Sequence, residues 1–454
     1  MSKRARRQRR VDAAPRTGSP AGELSRRQFL AGLAAATGAL ALGGCGDGGG
    51  GHGDPESAPL PDPEASGIEH VVVVMMENRS FDHFLGWVPG ADGRQEGLAF
   101  VDKQGATQRT FPLAPNFQNC QFDDPDHSYE GGRAQFNGGA NDGWLRAGTS
   151  DRFPIGYYTQ DDLALYGELV PAWTTFDRYF SAILGPTFPN RFYMHAGQTD
   201  RTSNTFALAR IDTIWDRLAE RGLTGTYYYS DFPFLALWGT RFGGISKLSS
   251  QFLADAAAGA LPNVSYVDPR FEGEDQGTSN DDHPLADIRN GQAFLSQIYD
   301  AVTASPNWPD TVLVFTYDEW GGFFDHVPPP LAPQTDLDPV IGNDGRLGFR
   351  VPCIVVSPRA RRGFVGHQQY DHTSILSLIE WRWGLDPLSA RDATATNLAQ
   401  ALDFTRPKRL RAPRITVPQG PFGSVCGASD TAVRSELVGL RAVAERYGFP
   451  VPPR

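Results

Sequence analysis

The sequence predicts an α/β protein: a mostly parallel central sheet with helices on both faces and long loop insertions. Three observations carry this. Residues 68–76 (IEHVVVVMM) and Thr311–Tyr317 (TVLVFTY) are unbroken β-branched and aromatic runs, the pattern of strands buried on both faces. Further short apolar runs at 226–229, 264–267 and 351–356 alternate with stretches of helical periodicity. No internal repeat interrupts that alternation.

Taken in order, the chain begins with seven basic residues in the first sixteen, then Arg26-Arg27 and a modest apolar run at 31–42. That run is too short and too rich in Ala and Gly to span a bilayer, and the layout is that of a twin-arginine export signal. Leu42-Gly43-Gly44-Cys45 matches the site at which bacterial lipoproteins are acylated, so residues 1–44 read as a removed leader and Cys45 as a lipid anchor. Residues 45–66 are rich in Gly, Pro and Asp and read as a tether. A single domain is expected over 67–454, with a loop-rich insertion at 89–162, where Gly, Asn and Asp recur without periodicity.

Within the domain, 211–221 reads as a helix capped by Asp212 and ended by Gly222. Residues 247–258 read as another. Residues 289–302 put Phe294, Leu295, Ile298 and Tyr299 on one face and stop before Pro306. Residues 371–383 turn Ile375, Leu376, Leu378 and Ile379 inward before Gly384, and 431–447 reads as a last helix.

Composition excludes several classes. The whole chain carries 42 basic and 52 acidic residues; without 1–44 these become 33 and 50, a balance of −17. Such a surface does not suit nucleic acid or electrostatic docking on anionic lipid. Beyond Cys45 there are Cys120, Cys353 and Cys426; Cys353 lies inside an apolar strand, which leaves Cys120 and Cys426 to pair in an exported protein. The run from Cys353 to Arg359 has the spacing of cysteine phosphatases, but it continues a strand and contains Pro358, so it offers no phosphate-cradling loop.

The chemistry gathers where the two strongest strands end. One stops at Glu77-Asn78, the other at Asp318-Glu319. In α/β sheets ligands bind at the carboxyl ends of strands. One acid pair alone reads equally well as a solvated turn, but two strands with the same ending point to a shared crevice. Three carboxylates meeting there require a cation, with the Asn78 carbonyl as a further oxygen ligand. Thr187 lies ahead of Pro189, which suits the first turn of a helix running to about Ala196. Its hydroxyl is either a plain cap or, beside a cation, a nucleophile.

ENRSFDHFLG (77–86), GPTFPNR (185–191), NDDHP (280–284), TYDEWGGFFDHVPPP (316–330) and YDHTS (370–374) resemble, in order, the bacterial phosphoesterase family of non-specific phospholipases C and acid phosphatases, relatives of alkaline phosphatases. The resemblance implies an alkaline-phosphatase-like fold and one divalent metal, calcium, magnesium, zinc or manganese, bound by Glu77, Asn78, Thr187, Asp318 and Glu319. It implies Thr187 as nucleophile, His127 and His283 as groups that contact phosphate or move protons, and Arg191, Asp325, His326, Asp371 and His372 as supporting groups. Thr stands where the phosphatase members carry Ser, which leans toward phospholipase C. The backbone N–H groups from Phe188 to Arg191 are expected to stabilise phosphoryl charge. Trp144, Tyr157 and Tyr158 are either packing residues or a cage for a choline headgroup.

The expected function is metal-dependent hydrolysis of a glycerophospholipid at the phosphate–glycerol bond. The alternatives are a broad acid phosphatase and, from another class, a lipid-anchored protein that binds phosphorylated ligands without turnover. Expected partners are the phospholipid substrate, the twin-arginine export machinery and the membrane holding the Cys45 anchor, with no nucleic acid.

Overall fold

Eight strands build the central sheet: β1 (His70–Met76), β2 (Thr174–Phe176), β3 (Gly225–Tyr229), β4 (Ser246–Leu248), β5 (Val264–Val267), β6 (Thr311–Tyr317), β7 (Cys353–Val356) and β8 (Phe364–Gly366). Their spatial order is β8-β2-β7-β6-β1-β5-β3-β4. All neighbours are parallel except β7, which runs against both β6 and β2. The expected strand at 351–356 is therefore shorter than its apolar run, because Pro352 has no N–H to give a ladder. β1 and β6 lie side by side at the centre, and Val71 to Val74 and Val312 to Phe315 are almost wholly buried, as the sequence predicts for strands covered on both faces.

The computed structural model describes residues 55–148, 152–427 and 437–453, which belong to one compact unit, Gly53–Arg454. The helices that matter are α1 (Phe81–Leu85), α2 (Tyr129–Phe136), α3 (Thr187–Ala196), α4 (Ile214–Glu220), α5 (Ser249–Ala257), α6 (Ile288–Thr303), α7 (His372–Trp383) and α8 (Val438–Arg446). α5 packs on β3 and α6 on β6.

Several boundaries differ from expectation for local reasons. α4 is capped by Thr213, whose side chain forms a reciprocal capping box with Asp216, and not by Asp212. Asp371 precedes α7 as its cap, accepting from the Thr373 N–H at 2.6 Å. Residues 431–436 of the expected last helix, and the leader with Cys45, lie outside the described residues. The described end of the expected tether is seated on the domain. Glu56 is buried and accepts the His367 N–H and the Tyr370 hydroxyl, both at 2.7 Å.

The aromatics considered for a choline cage are core. Trp144 is buried and packs on Phe349, and the Tyr158 hydroxyl is held between Asn119 and Asn116. The insertion presents no open aromatic box at these positions.

Candidate active site

β1 and β6 pair in register from His70 opposite Thr311 to Met76 opposite Tyr317, so both strands end at one level. Glu77-Asn78 and Asp318-Glu319 therefore emerge side by side. Asp318 Oδ1 accepts the N–H of Asn78 at 3.2 Å and of Glu319 at 2.7 Å, which stitches the two ends together. Gly321 is what lets them approach. It sits at φ +63°, and a Cβ there would lie 2.1 Å from the Asn78 carbonyl oxygen.

The donor set fits a hard divalent cation. Asn78 Oδ1, Asp318 Oδ2 and Glu319 Oε1 are buried without a hydrogen-bond partner, a costly arrangement unless something electropositive sits among them. Burial pushes the Glu77, Asp318 and Glu319 carboxyls upward, and for Glu77 the neighbouring Asp318 adds to the rise. Arg191 opposes it for Glu77 and Asp318, and His127 does so for Glu319.

Thr187 is the first residue of α3 and is buried; the expected position just ahead of the helix belongs to Pro186. Asn190 fixes the approach. Its amide donates to the carbonyls of Ile183, Gly185 and Pro186, and its Oδ1 accepts the Ile183 N–H. One turn after Thr187, Arg191 reaches the acids: Nη2 donates to Glu77 Oε1 at 2.8 Å and Nε lies 3.4 Å from Asp318 Oδ2. Residues four apart share a helix face, so Thr187 lies on the same face of α3 as Arg191. The helix mouth holds fewer open amides than expected, because the Phe188 N–H donates to Asn204 Oδ1 at 2.7 Å and Pro189 has none.

His127 and His283 converge from two loops, ring centroids 5.9 Å apart. Each donates Nδ1–H to a proline carbonyl, His127 to Pro125 at 2.8 Å and His283 to Pro284 at 3.1 Å. That leaves His127 Nε2 facing Glu319 Oε1 at 4.0 Å and His283 Nε2 facing Asp124 Oδ2 at 3.8 Å. Burial, reinforced by His127, pulls His283 down to about 3 and keeps it neutral. Asp281 accepts the His283 N–H and, through its carbonyl, the Glu77 N–H, tying this loop to β1.

The Phosphoesterase family matches residues 68–386, a span containing Glu77-Asn78, Asp318-Glu319, Thr187 and both histidines. The chain belongs to the phosphoesterase family. As a phosphoesterase it is a phosphoric ester hydrolase. Non-specific phospholipase C1 of Arabidopsis thaliana is 32% identical, covering 82% of this chain and 79% of that one. Phospholipase C B of Mycobacterium tuberculosis (strain ATCC 25618 / H37Rv) is 31% identical over 78% of this chain and 81% of that one. A solved alkaline phosphatase superfamily protein from Vibrio parahaemolyticus overlays at a TM-score of 0.37 and 10% identity, covering 75% of this chain and 70% of that chain. Residues 23–43 match the twin-arginine signal, so this phosphoesterase leaves the cytoplasm by that route. No helix of the described residues is long and apolar enough to cross a membrane.

The remaining expected groups divide in two. His372 donates Nε2–H to the Asp318 carbonyl at 2.6 Å and accepts from Tyr179 at Nδ1, so it holds the backbone just beyond β6. Asp371 pairs with Arg391 at 3.0 Å. Asp325 and His326 are engaged elsewhere. His326 Nδ1 bonds Asp82 Oδ2 at 2.6 Å, Asp325 accepts from Arg350 at 2.9 Å, and Arg350 also reaches Asp82. Sequence reading missed Asp124, Asn190 and Asp268. Asp124 is one of three acids in residues 122–127 (FDDPDH) with nothing local to single it out, and nothing in sequence marks Asp268 as the Arg191 partner at 3.2 Å.

Proposed function

We propose that this phosphoesterase is a phospholipase C that cleaves glycerophospholipids such as phosphatidylcholine to diacylglycerol and a phosphorylated headgroup. The observation that carries the reading is the shared register of β1 and β6, which ends Glu77, Asn78, Asp318 and Glu319 at one level, with Arg191 of α3 bonded to Glu77 one turn after Thr187. Glu77, Asn78, Thr187, Asp318 and Glu319 would hold one divalent cation, which would supply positive charge to lower the hydroxyl pKa and neutralise phosphoryl oxygens.

Thr187 Oγ1 loses its proton to solvent and attacks phosphorus in line, forming the Thr187 O–P bond as the P–O bond to glycerol breaks. Arg191 keeps Glu77 and Asp318 in place during that step. His127, beside Asp124 and Glu319, suits donation of a proton to the leaving alkoxide. His283, neutral by burial, suits acceptance of a proton from the water that then opens the phosphothreonine. Because the α3 mouth has few open amides, charge stabilisation falls to side chains more than to backbone N–H groups.

The enzyme acts after twin-arginine export, tethered to the membrane through acylated Cys45. Assay of phosphatidylcholine against a soluble aryl phosphomonoester, with and without chelator and single restored metals, tests the reading. Chelator-sensitive release of phosphorylated headgroup from the lipid supports it. Hydrolysis of the monoester alone makes the protein an acid phosphatase, and saturable binding without product makes it a binding protein. Thr187→Ala is expected to abolish turnover with the fold intact.

A further inference from the structure

The Cys120–Cys426 bridge joins positions 306 residues apart, and it sits where three otherwise separate segments meet. The first is the loop that leads from Cys120 to Asp124 and His127. The second is the loop 274–288, which carries Asp281 and His283. The third is the irregular C-terminal segment around 417–427. Gln118 ties all three: its amide donates to the Gly277 and Ser424 carbonyls, and its Oε1 accepts the Ser424 N–H at 3.0 Å. The Cys426 N–H donates to the Gln276 carbonyl at 2.9 Å, and the Ile288 N–H to the Phe117 carbonyl at 3.1 Å. Space at this node is tight, since a Cβ on Gly277 would lie 2.8 Å from Cys426 Sγ and 2.4 Å from the Leu285 carbonyl.

Asp281 and Asp282 hold the His283 loop to the ends of β1 and β6, through the Glu77 N–H and the Tyr317 hydroxyl, and the node sets the Cys120–His127 loop against it. Asp124, which faces His283 Nε2 at 3.8 Å and His127 Nδ1 at 3.9 Å, is four residues beyond the bridge. Small displacements of proton-moving groups are costly in rate, because reacting atoms must be held close and aligned. Cys120 is exposed and Cys426 is nearly buried, so a reductant reaches the bridge from the Cys120 side.

We propose that Cys120 and Cys426 are positioning residues for the His127–Asp124–His283 cluster, and that closing their disulfide after export brings the enzyme to full activity. The proposal rests on the catalytic reading of the two histidines given above. The twin-arginine route accepts chains already folded, and the cytosol keeps thiols reduced, so the domain passes the membrane with both thiols open. Closure removes two protons and two electrons from the thiols; a disulfide oxidant such as oxidised glutathione takes them up, yielding two glutathione thiols. A phospholipid hydrolase is thereby held at low turnover in the compartment where it is made.

The test uses the mature chain with its metal bound, reduced by a phosphine and reoxidised with oxidised glutathione, with thiols counted at each stage. Reduction is expected to lower kcat by about tenfold with little change in KM, to shift the pH profile of kcat, and to reverse on reoxidation. Cys120→Ser should stay at the low rate and ignore the oxidant, with bound metal retained. In His283→Gln, reduction should cost little more, since both changes act through one cluster. Unchanged kcat in fully reduced protein overturns the proposal, as does an equal loss on reduction in His283→Gln. Full activity of oxidised His283→Gln instead removes the catalytic reading of the histidine on which the proposal stands.

Discussion

Arg191 Nη2 donates to Glu77 Oε1 at 2.8 Å, a buried ion pair between helix α3 and the end of strand β1 across 114 residues of sequence. The same guanidinium also faces Asp268 and Asp318, so one cation partly offsets three buried carboxylates. Arg191→Met is therefore expected to cost roughly 3–5 kcal/mol of stability, the range for stranding buried charge by removing one partner. Part of that loss should return when saturating divalent metal replaces the missing charge. Urea unfolding with chelator and with metal measures both. A loss below about 1 kcal/mol in chelator would mean the acids are neutral without Arg191.

Asn190 bears on rate more than on binding. Its amide bridges three carbonyls of the segment that delivers Thr187, so Asn190→Ala frees the nucleophile from its approach geometry. The expected outcome is a fall in kcat of about 10–100-fold with KM near the native value. Steady-state kinetics on a soluble phosphodiester checks it. A change confined to KM would place Asn190 in substrate binding.

Metal and fold are linked through Asn78 and the acids. Buried oxygens of Asn78, Asp318 and Glu319 that lack a hydrogen bond should make the metal-free protein less stable, and a cation at a hundred times its Kd should add about 2.7 kcal/mol. Because burial raises the Glu77, Asp318 and Glu319 carboxyls, protons compete for the same oxygens, and metal affinity should weaken as pH falls. Asp318→Asn should abolish this stabilisation. Thermal melts with and without metal at several pH values report it, and an unshifted melt in the native chain would remove the site.

The sequence made the centre of this fold legible because buried parallel strands write themselves as unbroken apolar runs. β1 and β6 fall where residues 68–76 and 311–317 place them, and the acids that follow converge because the two strands pair in register. What stayed hidden depends on tertiary partners. Thr213 rather than Asp212 caps α4 because of where its backbone turns, and Glu56 is buried by partners more than 300 residues away. The open amides expected at the α3 mouth are reduced by Asn204, which no local pattern connects to Phe188. Asp325 and His326, expected as supporting groups on the resemblance alone, meet Arg350 and Asp82 once the chain has turned at Gly321 and Gly322.

That second network predicts its own pH dependence. His326 lies between Asp82 at 2.6 Å and Asp92 at 3.0 Å, with Asp325, Arg350 and, on Asp92, Arg178 completing the charges around it. Burial alone would lower its pKa, but Asp82, followed by Asp325, overcomes that and raises it. A histidine raised in the folded state binds its proton more tightly there than in the unfolded chain, whose value is about 6.5. Its contribution is then fully present below about pH 6 and is lost as pH rises through the folded value. His326→Gln should accordingly destabilise the metal-free protein by roughly 1–3 kcal/mol in mildly acidic buffer, the range for losing hydrogen bonds to a charged group. The gap between the two proteins should narrow steadily toward pH 9. Urea unfolding of both across that range decides the matter: a gap that stays constant would mean His326 is neutral in the fold and acts only by packing.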